Sequence, residues 1–189
     1  MKTADALKAI ISSIESDSLA IFSDGKISTE TLFINDSPNH FYMLGSMGQA
    51  SMIGLGIAIG QPQRRCIVIE GDGNLLMNPA SMIVIGQYKP KNLFHIIIDN
   101  GVYETTGSQK TIKWDMYRIA EQCGYNKIYN FNLEKKGKTL SAIFKEDGPV
   151  FIRIKVKPGS LSNVPSFSKT PQKIIKDFKQ SLKDSLSIC

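Results

Sequence analysis

The sequence is poor in cysteine, with Cys66, Cys123 and Cys189 lying far apart in the chain. Their number is odd, and their spacing matches neither a zinc site nor an iron–sulfur site. This usage argues against a disulfide framework and against a cysteine-bound metal. It is typical of reduced thiols, so we expect a cytoplasmic protein.

A long apolar run is also missing. No stretch approaches the roughly 20 apolar residues that a transmembrane helix needs. Residues 1–17 have the pattern of an amphipathic helix carrying acidic side chains, which differs from the apolar core of a secretory signal. We therefore expect no membrane segment and no secretory leader.

The charge is unbalanced, with a formal net charge of +6, but the lysines form no basic helix stripe and are not interleaved with aromatic residues. Much of the excess lies in the C-terminal third and resembles solvated helix faces. Nucleic-acid binding is an alternative that would show as a steep salt dependence. We expect no nucleic acid, because a positive charge equally suits an anionic substrate and cofactor.

The remaining composition is ordinary. The chain has 189 residues, of which 42% are hydrophobic and 21% charged, and we find no internal repeat. A chain of this length can bury one good core. We predict a single domain spanning residues 1–189.

The most informative stretch is residues 66–107. An apolar run over 66–69 is followed by a Gly-Asp-Gly turn, a helix beginning at Asn78-Pro79, and a second apolar run over 93–98. This order predicts a βαβ unit with two parallel, adjacent strands. Asp72 and Asn100 then follow the carboxyl ends of these strands, where ligands bind in open α/β sheets.

The residue types after these strands suit a magnesium ion. Asp72 offers a carboxylate, Asn100 a side-chain oxygen, and Val102 a backbone carbonyl. Magnesium is usually held by few protein oxygens together with phosphate oxygens and water. Gly71 and Gly73 would let the backbone approach an anion closely. Without a ligand, the same segments would be ordinary turns.

The rest of the chain predicts further alternation of helices and strands. The patterns predict helices over 3–15, about 48–60 and 114–123, a short helix over 28–32 with Ser28 as its N-cap, and a helix over 133–144 that is broken at Gly137. They also predict strands over 19–23, 41–44, 127–131 and 150–156, and a last helix capped by Thr170-Pro171 with one apolar face of Ile174, Ile175, Phe178 and Leu182. The helix over 48–60 is rich in glycine, which costs about 1 kcal/mol per residue relative to alanine. Close approach of a neighbouring helix or a cofactor would explain it. Asp24 to Lys26 follow another predicted strand at the same edge of the sheet. The sequence allows two interpretations of this segment, a contact with an anion or an ordinary turn.

Several segments resemble one known family. FYMLGSMG, GDGNLLMN and IIIDNGVYETTGSQKT are similar to the thiamine diphosphate (ThDP) binding domain of phosphonopyruvate and sulfopyruvate decarboxylases. The family's GDG and Asn-Asn motif is matched with Asp99 in place of the first asparagine. The resemblance covers nearly the whole chain, and the chain is similar in length to the β subunit of the two-subunit sulfopyruvate enzymes. Asn163-Val164-Pro165 departs from the phosphonopyruvate form, which tends to have arginine before the proline.

The resemblance implies a three-layer α/β/α fold with a mostly parallel sheet, and a site for ThDP and Mg²⁺. Asp72, Asn100 and Val102 would hold the metal. Gly45 would bind the aminopyrimidine, and Met47 would hold the cofactor bent. The full set implied for the cofactor is Gly45, Ser46, Met47, Gly71, Asp72, Gly73, Asn74, Asn100, Val102 and Tyr103.

The resemblance also implies a reaction and a partner. The expected activity is decarboxylation of a small anionic 2-oxo acid, sulfopyruvate or phosphonopyruvate, to CO₂ and an aldehyde. The polar segment after Asn100 would cover the substrate, with candidate contacts from Thr105, Thr106, Gln109 and Lys110. The family's activating glutamate lies on a pyrimidine-binding domain that this chain lacks, and Glu70 and Glu104 are candidates by residue type alone. We therefore expect a separate α subunit, in an α₂β₂ assembly.

Other functions stay open on the sequence. Acetolactate-forming enzymes and 2-oxo-acid oxidoreductases use the same motif, although the cysteines here cannot supply an iron–sulfur cluster. A two-subunit acyl-transferring dehydrogenase is a further option. A regulatory subunit that keeps the fold without catalysis is the alternative from a different class.

Overall fold

A six-stranded parallel sheet forms the centre of the protein. The computed structural model describes residues 1–134 and 137–184. The described strands are β1 (Leu19–Phe22), β2 (His40–Tyr42), β3 (Cys66–Gly71), β4 (Leu93–Asp99), β5 (Val102–Tyr103), β6 (Gln109–Lys110), β7 (Lys127–Phe131) and β8 (Val150–Lys155). The sheet has the order β2-β1-β3-β4-β8-β7, and β5 and β6 form a separate antiparallel hairpin.

Helices cover both faces of the sheet. They are α1 (Thr3–Ser13), α2 (Lys26–Ile34), α3 (Ala50–Gly60), α4 (Asp72–Met77), α5 (Ala80–Tyr88), α6 (Met116–Cys123), α7 (Leu140–Ile143) and α8 (Pro171–Asp184). One hydrophobic cluster joins the sheet to α1, α2, α7 and α8, and a second joins it to α3, α4, α5 and α6. This arrangement confirms the predicted three-layer α/β/α fold. Among the described residues, no helix combines the length and apolarity needed to cross a membrane.

The central strands are apolar on both sides because helices cover both faces. In β3, Ile67 and Ile69 enter the first cluster, whereas Cys66 and Val68 enter the second. Every residue of β4 is buried. The predicted parallel pairing of β3 with β4 is confirmed, and Gly71 lies opposite Ile98 at the carboxyl end of the pair.

Several element boundaries differ from the predictions. Helix α2 begins at Lys26, two residues early, because Gly25 takes the N-cap position with a φ of 76°. Ser28, the predicted N-cap, is buried and donates its hydroxyl to the carbonyls of Phe22 and Ser23. The Gly-Asp-Gly turn is also different: Gly71 ends β3, and Asp72 begins α4.

Two further helices depart from their predicted form. The helix predicted over 133–144 is reduced to α7, because Thr139 caps its start by accepting the amide N–H of Ala142; residues 135 and 136 lie outside the described residues. In α8, Thr170 caps the start as predicted. Its predicted inner face was partly wrong, because Ile174 is buried whereas Ile175 is 45% exposed.

Candidate functional site

A cleft opens where the strand order of the sheet reverses. The chain adds β2 on one side of β1 and then β3 on the other, so the loops after β1 and β3 diverge. Such a switch point, at the carboxyl ends of parallel strands, is where ligands bind in open α/β sheets. Here the cleft has a volume of about 480 Å³, and the segments following β1, β3 and β4 line it.

Most of the residues predicted for a site meet in this cleft. Its lining includes Met47, Gly71, Asp72, Gly73, Asn74, Asn100, Val102, Tyr103, Thr105, Thr106 and Gln109. The other three predicted residues, Gly45, Ser46 and Lys110, are exposed and are not among the lining residues. Ser46 adopts a left-handed backbone with a φ of 60°.

Asp72 and Asn100 lie side by side at the same edge of the sheet. The backbone N–H of Asn100 donates to Asp72 Oδ1 at 3.3 Å. The hydroxyl of Thr111 donates to Asp72 Oδ2 at 2.6 Å. The two positions are neighbours because β3 and β4 are paired and end together, as the βαβ prediction required.

The carboxylate of Asp72 is only 2% exposed. Burial raises its pKa above the ordinary value, the nearby Asp99 adds to the rise, and the Thr111 hydrogen bond opposes it. A raised pKa means that the ionised form is costly in this environment. A cation beside Asp72 would offset that cost, so this buried carboxylate fits a metal-binding role.

The donors around Asp72 are hard oxygens. Asn100 Oδ1 accepts the N–H of Val102 at 3.0 Å, and a carbonyl oxygen has a second lone pair for a cation. Within the described residues, no group of three or more His, Cys, Asp or Glu side chains could hold a metal. A sparse set of carboxylate, amide and carbonyl oxygens suits magnesium that takes its other ligands from phosphate and water.

Asp99, which replaces the first asparagine of the family motif, has an ion-pair partner. Its Oδ2 accepts Arg153 Nε at 2.7 Å and also contacts Arg153 Nη2. Arg153 lies on β8, the neighbour of β4 on the side away from the cleft strands. The departure from the motif therefore serves pairing within the sheet and leaves Asn100 at the cleft.

Asn74 joins three loops of the cleft. Its Oδ1 accepts the N–H of Gly48 at 2.9 Å, and its Nδ2 donates to Asp24 Oδ1 at 2.7 Å. Asn74 therefore ties α4, which directly follows β3, to the loops after β1 and β2. This fixes the segment that carries Met47.

Gly73 is needed for close packing within the chain. A Cβ atom at this position would lie 2.6 Å from the ring of Tyr103. The sequence predicts that this glycine lets the backbone approach an anion, and the structure adds a packing role, because Tyr103 of the hairpin lies directly against it. Gly73 thus brings the hairpin against the start of α4.

The hairpin is held by contacts that sequence reasoning did not identify. Glu104 Oε1 receives Lys26 Nζ at 3.2 Å and the Ser160 hydroxyl at 3.0 Å, and Glu104 Oε2 receives Asn100 Nδ2 at 3.0 Å. Lys26 had been an open candidate for an anion contact, and Glu104 a candidate by type alone. Ser160 carried no signal, since it stands in a Ser/Pro-rich connection far along the chain.

Glu70 lies outside the cleft although it directly precedes the Gly-Asp-Gly segment. Its Oε1 is 2.6 Å from His95 Nε2, and His95 Nδ1 is 2.7 Å from the hydroxyl of Tyr125. Burial raises the pKa of Tyr125 well above its ordinary value. Glu70, His95 and Tyr125 therefore form a buried polar network, and Glu70 cannot reach a ligand in the cleft.

Comparison with known proteins gives consistent results. The model of a family described as thiamine pyrophosphate enzyme, C-terminal TPP binding domain, matches residues 25–154. A sulfopyruvate decarboxylase subunit beta from Methanothermobacter thermautotrophicus is 40% identical over 183 residues, covering 94% of each chain. A phosphonopyruvate decarboxylase from Streptomyces viridochromogenes is 33% identical over 177 residues, covering 92% of this chain and 44% of that protein. This chain therefore spans less than half the length of the phosphonopyruvate decarboxylases that it matches.

The fold also has a solved counterpart. A Mycobacterium smegmatis protein, assigned to the thiamin diphosphate-dependent enzymes and solved by X-ray methods, superposes with a TM-score of 0.64 at 19% identity. The match covers 84% of this chain and 32% of that one. At this identity the match supports the fold alone. The family match and the relatives confirm the resemblance drawn from the motifs.

Proposed function

This chain belongs to the thiamine pyrophosphate enzymes, as a C-terminal TPP-binding domain, and on that premise we propose that it is the ThDP-binding subunit of a magnesium-dependent 2-oxo acid decarboxylase. The observation that carries the proposal is the meeting of Asp72 and Asn100 at the switch point of the sheet. ThDP, when bound, supplies the electron sink for loss of CO₂. The roles below concern what the protein's own residues contribute.

The metal would be held by the Asp72 carboxylate, Asn100 Oδ1 and the Val102 carbonyl. Gly71, Gly73, Asn74 and Tyr103 would line the diphosphate, since they line the cleft together with Asp72. Gly45, Ser46 and Met47 would contact the rings from the loop after β2. The tie from Asn74 to Gly48 holds that loop in place.

The substrate would be a small anionic 2-oxo acid. Thr105, Thr106 and Gln109 line the cleft from the hairpin. Lys110 is the last residue of β6, the second strand of the hairpin. These side chains offer hydroxyl and amide donors and one positive charge, which suit a sulfonate or phosphonate group. Sulfopyruvate is the first candidate because the β-subunit relative matches along nearly its whole length. Phosphonopyruvate is the second.

The activating glutamate would come from a separate α subunit. Glu70 is buried against His95, and Glu104 is bonded to Lys26, Ser160 and Asn100, so neither is available for a cofactor ring. Helices α3 and α5 contain no charged residue, yet Ile59 and Ile83 are exposed on them. An all-apolar helix is normally covered. These helices therefore offer a surface against which the subunit that brings the glutamate would pack.

The proposal is tested by titrating the chain with ThDP in the presence of Mg²⁺ in a calorimeter, alone and with its partner subunit. We expect binding that needs Mg²⁺ and is lost in Asp72→Ala. Decarboxylation of sulfopyruvate or phosphonopyruvate should need both subunits. Full activity of the chain alone would refute the need for a partner subunit. Absence of ThDP binding both with and without the partner would favour a regulatory subunit.

A further inference from the structure

The orientation of the Asn100 side chain depends on a neighbour. An asparagine amide has one oxygen and one nitrogen, and only the oxygen can bind a cation. Rotating the amide by half a turn exchanges the two atoms without changing the shape of the side chain. A site that uses Asn100 Oδ1 therefore needs contacts that distinguish the two ends of the amide.

Glu104 supplies that distinction. Asn100 Nδ2 donates to Glu104 Oε2 at 3.0 Å, while Asn100 Oδ1 accepts the N–H of Val102 at 3.0 Å. In the reversed orientation, the amide oxygen would face a carboxylate and the NH₂ group would face another N–H. Both contacts would then be repulsive, so they favour the same orientation.

Glu104 is itself fixed from a second side. Its other oxygen, Oε1, receives Lys26 Nζ from the start of α2 and the Ser160 hydroxyl from the C-terminal connection. The Glu104 side chain is 14% exposed, so water competes weakly for these contacts. Two separate segments of the chain therefore hold the carboxylate that orients the amide.

We propose that Glu104 is a positioning residue for metal binding: it holds the Asn100 amide so that its oxygen is available to the cation. The inference rests on the proposed function, because it presumes that Asn100 binds Mg²⁺. Groups that orient metal ligands typically change metal affinity by about 10- to 100-fold when they are removed. Glu104 would act in this way through Asn100 and would not touch the metal.

The test measures how the Mg²⁺ concentration controls ThDP binding by the full chain, assembled with its partner subunit where binding requires it. We expect Glu104→Ala to raise the Mg²⁺ requirement about 10- to 100-fold. Glu104→Gln should raise the Mg²⁺ requirement less than Glu104→Ala does, since the one oxygen of the glutamine amide can still accept from either Asn100 or Lys26. Glu121→Ala, which removes an exposed glutamate on α6, should behave as the wild type.

A second background separates positioning from direct ligation. In Asn100→Asp both ends of the side chain are oxygens, so no orientation is needed. We expect Glu104→Ala in this background to leave the Mg²⁺ requirement unchanged or to lower it, because it removes a carboxylate facing another carboxylate. An equal loss in both backgrounds would overturn the proposal and indicate a direct ligand or general support of the fold.

A metal-free readout completes the test. The side-chain NH₂ resonances of Asn100 in the unliganded chain should move toward solvent-exposed values in Glu104→Ala and stay in place in Glu121→Ala. Unchanged resonances would overturn the inference even if a variant binds poorly. If the wild type binds no ThDP in the presence of Mg²⁺, the proposed function fails. If the wild type binds ThDP and Glu104→Ala has the same Mg²⁺ requirement, only this inference fails.

Discussion

The two helical layers of the sheet differ in how they meet solvent. The layer with α1, α7 and α8 uses amphipathic helices: α8 buries Ile174 and Phe178 and presents lysines outward. In the second layer α6 carries charged residues, but α3 and α5 contain none, and Ile83 and Tyr88 on α5 are 62% and 65% exposed. Helices α1 and α8 thus present charged residues to solvent, whereas α3 and α5 present apolar ones.

The difference between the two layers is tested most directly by placing a charge on an exposed isoleucine of each layer. Ile83→Glu on α5 should weaken assembly with the partner subunit by about 30-fold or more, the effect of losing an interface hot spot. Ile175→Glu on α8, where the isoleucine is 45% exposed, should leave assembly unchanged. Analytical ultracentrifugation of the mixed subunits measures both. Equal weakening by the two variants would show that the α5 surface has no special role.

Two glycines of α3 lie on opposite sides of the helix, one packed against the sheet and one exposed to solvent. A Cβ at Gly54 would lie 2.1 Å from Val68 Cγ2, while a Cβ at Gly56 would meet nothing within 4 Å. Gly54→Ala should therefore lower the free energy of unfolding by about 1–3 kcal/mol through overpacking. Gly56→Ala should raise it by up to about 1 kcal/mol through better helix propensity.

Urea unfolding of the isolated chain measures both glycine variants. If Gly56 is retained for close approach of a partner, Gly56→Ala should also weaken assembly although it stabilises the chain. A destabilised Gly56→Ala chain would contradict the packing described here.

The smallest effect concerns a buried carboxylate in the first layer. Glu30 on α2 accepts the N–H of Leu161 at 3.1 Å through Oε1, and its buried Oε2 has no hydrogen-bond partner. Burial is the main cause that raises the pKa of Glu30. Compared with the unfolded chain, the folded chain therefore favours the protonated form of Glu30. Its free energy of unfolding should fall as the pH rises from the pKa of Glu30 in the unfolded chain through its higher pKa in the folded chain.

Glu30→Gln keeps the acceptor for Leu161 and removes the charge. It should stabilise the chain by roughly 1 kcal/mol at about pH 7.5, and the gain should shrink at about pH 5. Urea unfolding at the two pH values measures it, with the exposed Glu121→Gln as control. A gain that does not depend on pH would contradict the assigned cause.

Most of the fold could be predicted because its signals are local and strong. The runs at β1, β3 and β4 are apolar, those at β3 and β4 are rich in β-branched residues, and the segment between β3 and β4 has a helical pattern. Boundaries were harder where a cap depended on one backbone angle, as at Gly25, or where a predicted helix was mostly not formed, as before α7. The pairing of Asp72 with Asn100 followed from the βαβ order alone.

The supporting contacts of the cleft could not be predicted. Glu104 meets Lys26 and Ser160 across 78 and 56 residues of sequence, and no local pattern encodes such contacts. The motif predicts that Asn74 contacts the cofactor, and the structure adds a contact that the motif does not encode, since its side chain ties Gly48 to Asp24.

By itself, the sequence determined the six strands of the sheet and most of its helices, the motif residues at the strand ends and the family, but not α4 or the β5–β6 hairpin. These depend on hydrophobic periodicity and on short segments whose meaning does not require knowledge of distant residues. Only the tertiary structure decided which side chains hold the candidate ligands in place and which helices are left uncovered. Those features arise when segments far apart in the chain are brought within a few ångströms by the packing of the sheet and its two layers.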